Sequence, residues 1–176
     1  ALPFPHEHSD LPADPSVRWG KMENGVRYAL LRNTEPPGRL SLRMRIATGS
    51  LNEEENQRGI AHFIEHMAFN GSKHFKAAEL IEILQQNGIG FGGDLNAYTG
   101  FDETVYMLDL PRTDDELVGK CLLILRDWAD GLLLAEDEID KERGVILAEK
   151  RDHDSVEMRL LEEKFKTILP EALIGN

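Results

Sequence analysis

Polar and apolar positions alternate most clearly at Leu40, Leu42, Met44 and Ile46, with Ser41, Arg43 and Arg45 between them, which predicts a half-buried strand. Upstream, Val17 to Met22 and Gly25 to Arg32 flank a Glu23-Asn24-Gly25 turn and predict a β-hairpin. Downstream, Asp94 to Tyr98 and Thr104 to Leu110 flank Thr99-Gly100-Phe101-Asp102 and predict a second hairpin. Its second arm is rich in strand-forming residues at Val105-Tyr106-Met107-Leu108. Helical spacing governs the rest. Gly59 to Phe69 reads as a helix closing at Asn70-Gly71. Lys76 to Asn87 places Ala77, Leu80, Ile81 and Leu84 on one face and closes at Gly88. Asp114 to Leu134 carries a stripe of Leu117, Cys121, Leu122, Leu125 and Trp128. A last helical run starts at Ala135-Glu136-Asp137 and reaches about Leu169, with a bend near Asp154-Ser155. Strands and helices in this order predict an α+β fold, an antiparallel sheet with helices packed on one face.

Residues 1–16 hold four of the eight prolines and read as an extended N-terminal arm, so the domain is expected over 17–176. The chain has 176 residues, 41% of them hydrophobic, enough for one domain with a core. A formal net charge of −12 argues against nucleic acid or an anionic membrane as partner. No apolar run approaches a membrane span; the longest candidate, Cys121 to Leu125, is far too short. A single cysteine, Cys121, rules out an internal disulfide and a cysteine-based zinc site; it reads as a core residue of its helix. The chain opens Ala1-Leu-Pro-Phe-Pro5 with neither an initiator Met nor a basic signal region, which suggests a processed start with export still open. His6, Glu7, His8 and Asp10 lie in the arm and read as a flexible tail.

The chemistry concentrates in His62-Phe63-Ile64-Glu65-His66. His62 and His66 are four apart, so on a helix they share a face and aim two imidazoles at one point. Glu65 sits beside that point. Two imidazoles on one cation with a carboxylate at hand is what zinc-assisted hydrolysis requires: neutral ligands, and a base for the water that zinc activates. The motif is the reverse of HExxH. A pair of histidines four apart is often only a wet helix face. Here Phe63, Ile64, Met67, Ala68 and Phe69 surround the polar trio, and apolar surroundings make unpaired polar groups costly. Glu53-Glu54-Glu55 precede the helix and suit its positive end as solvated capping acids. His74 is either a neighbour of the site or a surface residue. Gly88-Ile-Gly-Phe-Gly-Gly93 has neither a preceding strand nor a following Lys-Ser/Thr, so it reads as a flexible connection rather than a phosphate loop.

A catalytic zinc takes three protein ligands and keeps one position for water. With cysteine excluded, the third is a carboxylate. Glu142 and Glu149 are seven apart, share a helical face, and have Val145 and Ile146 between them to bury it. Spacing alone leaves both open.

The set His62-x-x-Glu65-His66, Asn96-Ala97-Tyr98-Thr99 and Glu142-x6-Glu149 resembles the pitrilysin/insulinase family of inverted zincin peptidases, and in particular its large exported bacterial members. The likeness runs over about residues 17 to 169. It implies a Zn2+-dependent endopeptidase in which His62, His66 and Glu149 hold the metal and Glu65 is the general base. Glu142 would support the site from behind the ligands. His66 to Glu149 is 83 residues, longer than the family's usual gap, whereas Glu142 is 76 away. The paired glutamates match the family pattern, with Gly88–Gly93 as the insertion that lengthens the gap, so the resemblance selects Glu149. Asn96, Ala97 and Tyr98 match an edge strand on which a peptide or small protein substrate is laid as an added strand. Family members are much longer, with several related domains around a chamber. This chain resembles the N-terminal half of the first, so the remaining domains are its expected partners and the periplasm or another exported location its expected place. The alternative is a non-catalytic member that keeps zinc for structure or partner binding.

Overall fold

An Asn24-Gly25 turn folds Val17–Lys21 (β1) back antiparallel on Arg27–Leu31 (β2), with Val17 opposite Leu31 and Lys21 opposite Arg27. Gly25 takes φ +91°, a left-handed conformation that glycine adopts without strain, and the Asn24 side chain accepts the Val26 N–H. The computed structural model describes residues 3–168. Those up to Gly38 make one compact unit and those from Arg39 a second. The first unit joins the arm to the hairpin. The arm is not extended throughout. It forms a short 3-10 turn at Pro5–His8, and Phe4 stacks on His6 while Trp19 meets both rings at an angle.

In the second unit, Leu40–Ile46 (β3), Leu95–Thr99 (β4) and Thr104–Leu110 (β5) form an antiparallel sheet in the order β3-β5-β4. The register sets Leu40 opposite Leu110 and Ile46 opposite Thr104, and Leu95 opposite Leu108 and Thr99 opposite Thr104. The alternation in β3 behaves as expected. Its leucines, Met44 and Ile46 turn inward, while Arg43 pairs with Asp109 and Arg45 with Glu103 on the solvent face. The inward face of β5, Tyr106, Leu108 and Leu110, is almost fully buried.

Helices cover that face: Ile60–Met67 (α1), Ala77–Gln86 (α2) and Asp115–Asp130 (α3), the last capped by Asp114, whose carboxylate accepts the Leu117 N–H. Leu80 and Leu84 of α2 and Leu117, Cys121, Ile124 and Trp128 of α3 meet Tyr106, Leu108 and Leu110 in the core. Burial pushes the Cys121 thiol up to about 11, which makes it an inert core residue. Glu136–His153 (α4) and Val156–Ile168 (α5) follow, with the break at Asp154-Ser155. The expected end near Leu169 lies outside the described residues. No described helix is long and apolar enough to cross a membrane.

Three local expectations are corrected. α3 ends at Asp130 and not Leu134. The Gly131 carbonyl accepts the Lys73 N–H and the Leu133 N–H goes to the Gly71 carbonyl, so the leucines pair with a loop instead of prolonging the helix. α1 ends at Met67, because Phe69 and Asn70 tighten to 3-10-type bonds with the His66 and Met67 carbonyls. Val145 is 51% exposed and does not bury the face of α4 between Glu142 and Glu149.

Candidate metal centre

α1 is only eight residues long, too short to hold itself, and its position is set from outside. At its N-terminus one carboxylate caps two orphan donors: Glu53 Oε2 accepts the Gly59 N–H and Oε1 the Ala61 N–H, each at 2.7 Å. Glu53 is therefore more than a solvated acid. At the other end the Trp128 indole N–H donates to the Ala68 carbonyl at 2.7 Å. In the loop that follows, fully buried Asp127 accepts from the Ser72 hydroxyl at 2.8 Å, the His74 N–H at 2.9 Å and His74 Nδ1 at 2.8 Å. Burial alone would raise the Asp127 pKa; these donors outweigh it and hold the carboxyl below its ordinary value. His74 thus serves this anchor.

The helix held in this way turns both imidazoles outward toward α4. The two Nε2 atoms lie 3.1 Å apart, with the rings at 88° to one another. Glu149 Oε2 is 3.7 Å from His62 Nε2 and 3.4 Å from His66 Nε2. Among the described residues these three side chains are the one set whose donor atoms could share a metal ion. Tetrahedral zinc with bonds of about 2.0–2.2 Å sets its ligand atoms about 3.3 Å apart. A triangle with sides of 3.1, 3.4 and 3.7 Å fits that requirement.

Glu142 is differently placed. Its Oε1 meets His66 Nδ1 at 2.7 Å, and its Oε2 accepts the Asn70 side-chain N–H at 2.6 Å. Both oxygens are engaged, and with Nδ1–H donating to Glu142, His66 presents Nε2 as a free lone pair. Of the two candidate carboxylates, 149 joins the imidazoles and 142 stands behind one of them. Glu65 is 8% exposed and turns to the sheet, where the Thr99 hydroxyl donates to its Oε2 at 2.6 Å. Tyr106 lies close by. Its burial, reinforced by the Glu65 carboxylate, pushes the phenol above its ordinary range.

Asn96, Ala97 and Tyr98 lie on β4, an edge strand of the sheet, immediately before Thr99. The Ala97 N–H is taken by the Asn96 side chain at 2.9 Å, and the Tyr98 hydroxyl donates to Glu103 at 2.6 Å. The sequence pattern marks Glu53 as a solvated cap, Asn70 as a turn, Trp128 as part of an apolar stripe and Thr99 as part of a strand motif, and it gives none of these, nor Asp127, a part in holding the site, since each is a common residue at a turn, cap or helix face.

A model of the family described as insulinase (peptidase family M16) matches residues 28–173 of this chain. This chain belongs to the insulinase family. Among its insulinase relatives, the probable zinc protease PqqL of Escherichia coli (strain K12) is 40% identical over 149 residues, 85% of this chain and 16% of that protein. The PqqL of Haemophilus influenzae is 38% identical over 157 residues, 89% of this chain and 17% of that protein. The chain thus spans about one sixth of the length of these relatives. The crystal structure of the first half of the periplasmic protease PqqL from Escherichia coli superposes with a TM-score of 0.86 at 38% identity, covering 92% of this chain and 34% of that one. A mutant of the ferredoxin protease FusC in complex with Arabidopsis ferredoxin gives a TM-score of 0.80 at 30% identity, covering 91% of this chain and 18% of that one. The α+β architecture matches about a third of the solved first half of PqqL.

Proposed function

We propose that this segment is the zinc-binding part of a metalloendopeptidase, with His62, His66 and Glu149 as ligands, Glu65 as general base and Glu142 orienting His66. The observation that carries the reading is the triangle of donor atoms at tetrahedral zinc spacing with a buried carboxylate one residue before His66. Zinc, when bound, supplies a Lewis acid that polarises the scissile carbonyl and lets water ionise near neutral pH. Glu65 accepts the proton of the attacking water at its carboxylate and returns it to the leaving amine. Glu142 keeps the His66 ring in one tautomer and one plane. Asn96, Ala97 and Tyr98 offer the edge of β4 to an extended peptide, whose backbone would displace the Asn96 side chain from the Ala97 N–H.

The substrate is a peptide or small protein, and turnover requires the further length that PqqL-like relatives possess. Similarity to the periplasmic protease PqqL of Escherichia coli supports an exported, periplasmic location.

The test is made in the full-length protein. Glu65→Gln is expected to retain zinc by elemental analysis and lose peptide hydrolysis, with an effect of at least about 100-fold; His62→Ala is expected to lose the zinc. Zinc retained by His62→Ala would sink the ligand set. Stoichiometric zinc in a wild-type protein that cleaves no peptide would favour the non-catalytic reading.

A further inference from the structure

Glu65 is nearly buried, and among the described residues its side chain accepts a single hydrogen bond, from the Thr99 hydroxyl to Oε2 at 2.6 Å. A hydroxyl has one proton to give. The neighbouring hydroxyl, Thr104, spends its own on the Thr48 carbonyl at 3.0 Å. Thr104 lies 3.5 Å from Thr99, too far to compete with a 2.6 Å bond to a carboxylate. The Thr99 proton is therefore committed to Glu65, and the two carboxylate oxygens are not equivalent.

We propose that Thr99 is a positioning residue for the general base: its hydroxyl clamps Oε2, fixes the plane of the carboxylate, and leaves Oε1 as the oxygen that carries the proton. In the transfer an O–H bond of water breaks as Oε1–H forms. Oε1–H then breaks as the N–H of the leaving amine forms, which regenerates the carboxylate. The inference rests on the reading of Glu65 as base. It also joins two parts of the site, because Thr99 ends the strand that carries Asn96, Ala97 and Tyr98. The strand proposed to align the peptide is the strand that aims the base, so a shift of one displaces the other.

The test compares wild type, Thr99→Val, Thr99→Ser and Glu65→Gln in the full-length protein. Zinc content is read by elemental analysis, and kcat and KM on internally quenched fluorogenic peptides. A crystal structure of zinc-free Thr99→Val gives a readout independent of turnover. Valine keeps the shape and strand preference of threonine and removes only the hydroxyl. Thr99→Val is expected to lower kcat about 10- to 100-fold with KM and zinc content unchanged, Thr99→Ser to restore kcat, and the Glu65 carboxylate to rotate in the crystal. A Thr99→Val protein with wild-type kcat, beside an inactive Glu65→Gln, overturns the inference and leaves the base standing. A Glu65→Gln protein as active as wild type overturns the base itself. Loss of zinc in Thr99→Val, failure of serine to rescue, or an unmoved Glu65 carboxylate in the crystal makes Thr99 structural and overturns the clamp.

Discussion

In the proposed zinc site, Glu142 would serve a metal that it does not touch. Its carboxylate is mostly buried and holds two partners, His66 Nδ1 on one oxygen and the Asn70 amide on the other. An imidazole on an eight-residue helix can rotate about two bonds, and only one orientation sends Nε2 toward Glu149. Ordering that ring beforehand removes an entropic cost from metal binding. Glu142→Ala is therefore expected to weaken zinc affinity about 10- to 100-fold with the helical signal in circular dichroism unchanged. Competition against a chromophoric chelator measures it. An affinity equal to wild type would show that His66 orients itself.

At the scale of the element, α1 is a short helix pinned at both ends, and the buried Asp127 carboxylate makes the loop that follows it sensitive to acid. The Asp127 carboxyl titrates below its ordinary 3.8 in the folded chain because Ser72 and His74 donate to it. A depressed folded value means a contribution to stability that is complete above about pH 4 and is lost as pH falls through the folded value. Asp127→Asn presents an amide donor to donors that need an acceptor, at a cost of about 1–3 kcal/mol. Wild type is expected to lose melting temperature on acidification below pH 4 more steeply than Asp127→Asn, which starts lower and stays flatter; parallel curves would remove Asp127 from the acid response. The sequence exposes some of these elements and hides others for physical reasons. β3 is legible because its alternation is intact from Leu40 to Ile46. The break between α4 and α5 is legible from Asp154-Ser155. The end of α3 is not, since Leu132, Leu133 and Leu134 continue the apolar pattern and only the loop at Gly71–Lys73 draws them away. His62, Glu65 and His66 are legible because their spacing is itself the geometry. Thr99 and Asp127 are not, because a hydroxyl 34 residues from its partner and an acid 53 residues from its histidine leave no local pattern.

Across the whole molecule, the candidate centre joins α1 to α4, a helix that adds no described residue to the buried core. The sheet, α2 and α3 share a buried core, whereas α4 has no fully buried residue among those described. Polar contacts tie α4 to α1: Glu142 to His66 and Asn70, and Glu149 facing both imidazoles. Two carboxylates, Glu142 and Glu149, meet the imidazoles here, and a third, Glu65, lies one residue before His66, in a chain whose net charge is already −12. A divalent cation bound there, as proposed, would offset that charge and crosslink helices whose candidate ligands are 83 residues apart in sequence. Its removal should therefore act locally before it acts globally. With free zinc at about 100 times the dissociation constant, binding contributes about 2.7 kcal/mol, so chelation is expected to lower the melting temperature by about 5–10 °C. Hydrogen exchange in the zinc-free full-length protein is expected to accelerate along Glu136–His153 while β5 and α3 keep their protection. Uniform acceleration across core and α4 would mean that the metal stabilises the fold as one body. No acceleration in α4 would mean that its polar contacts with α1 suffice without the ion, and the crosslink argument would fail.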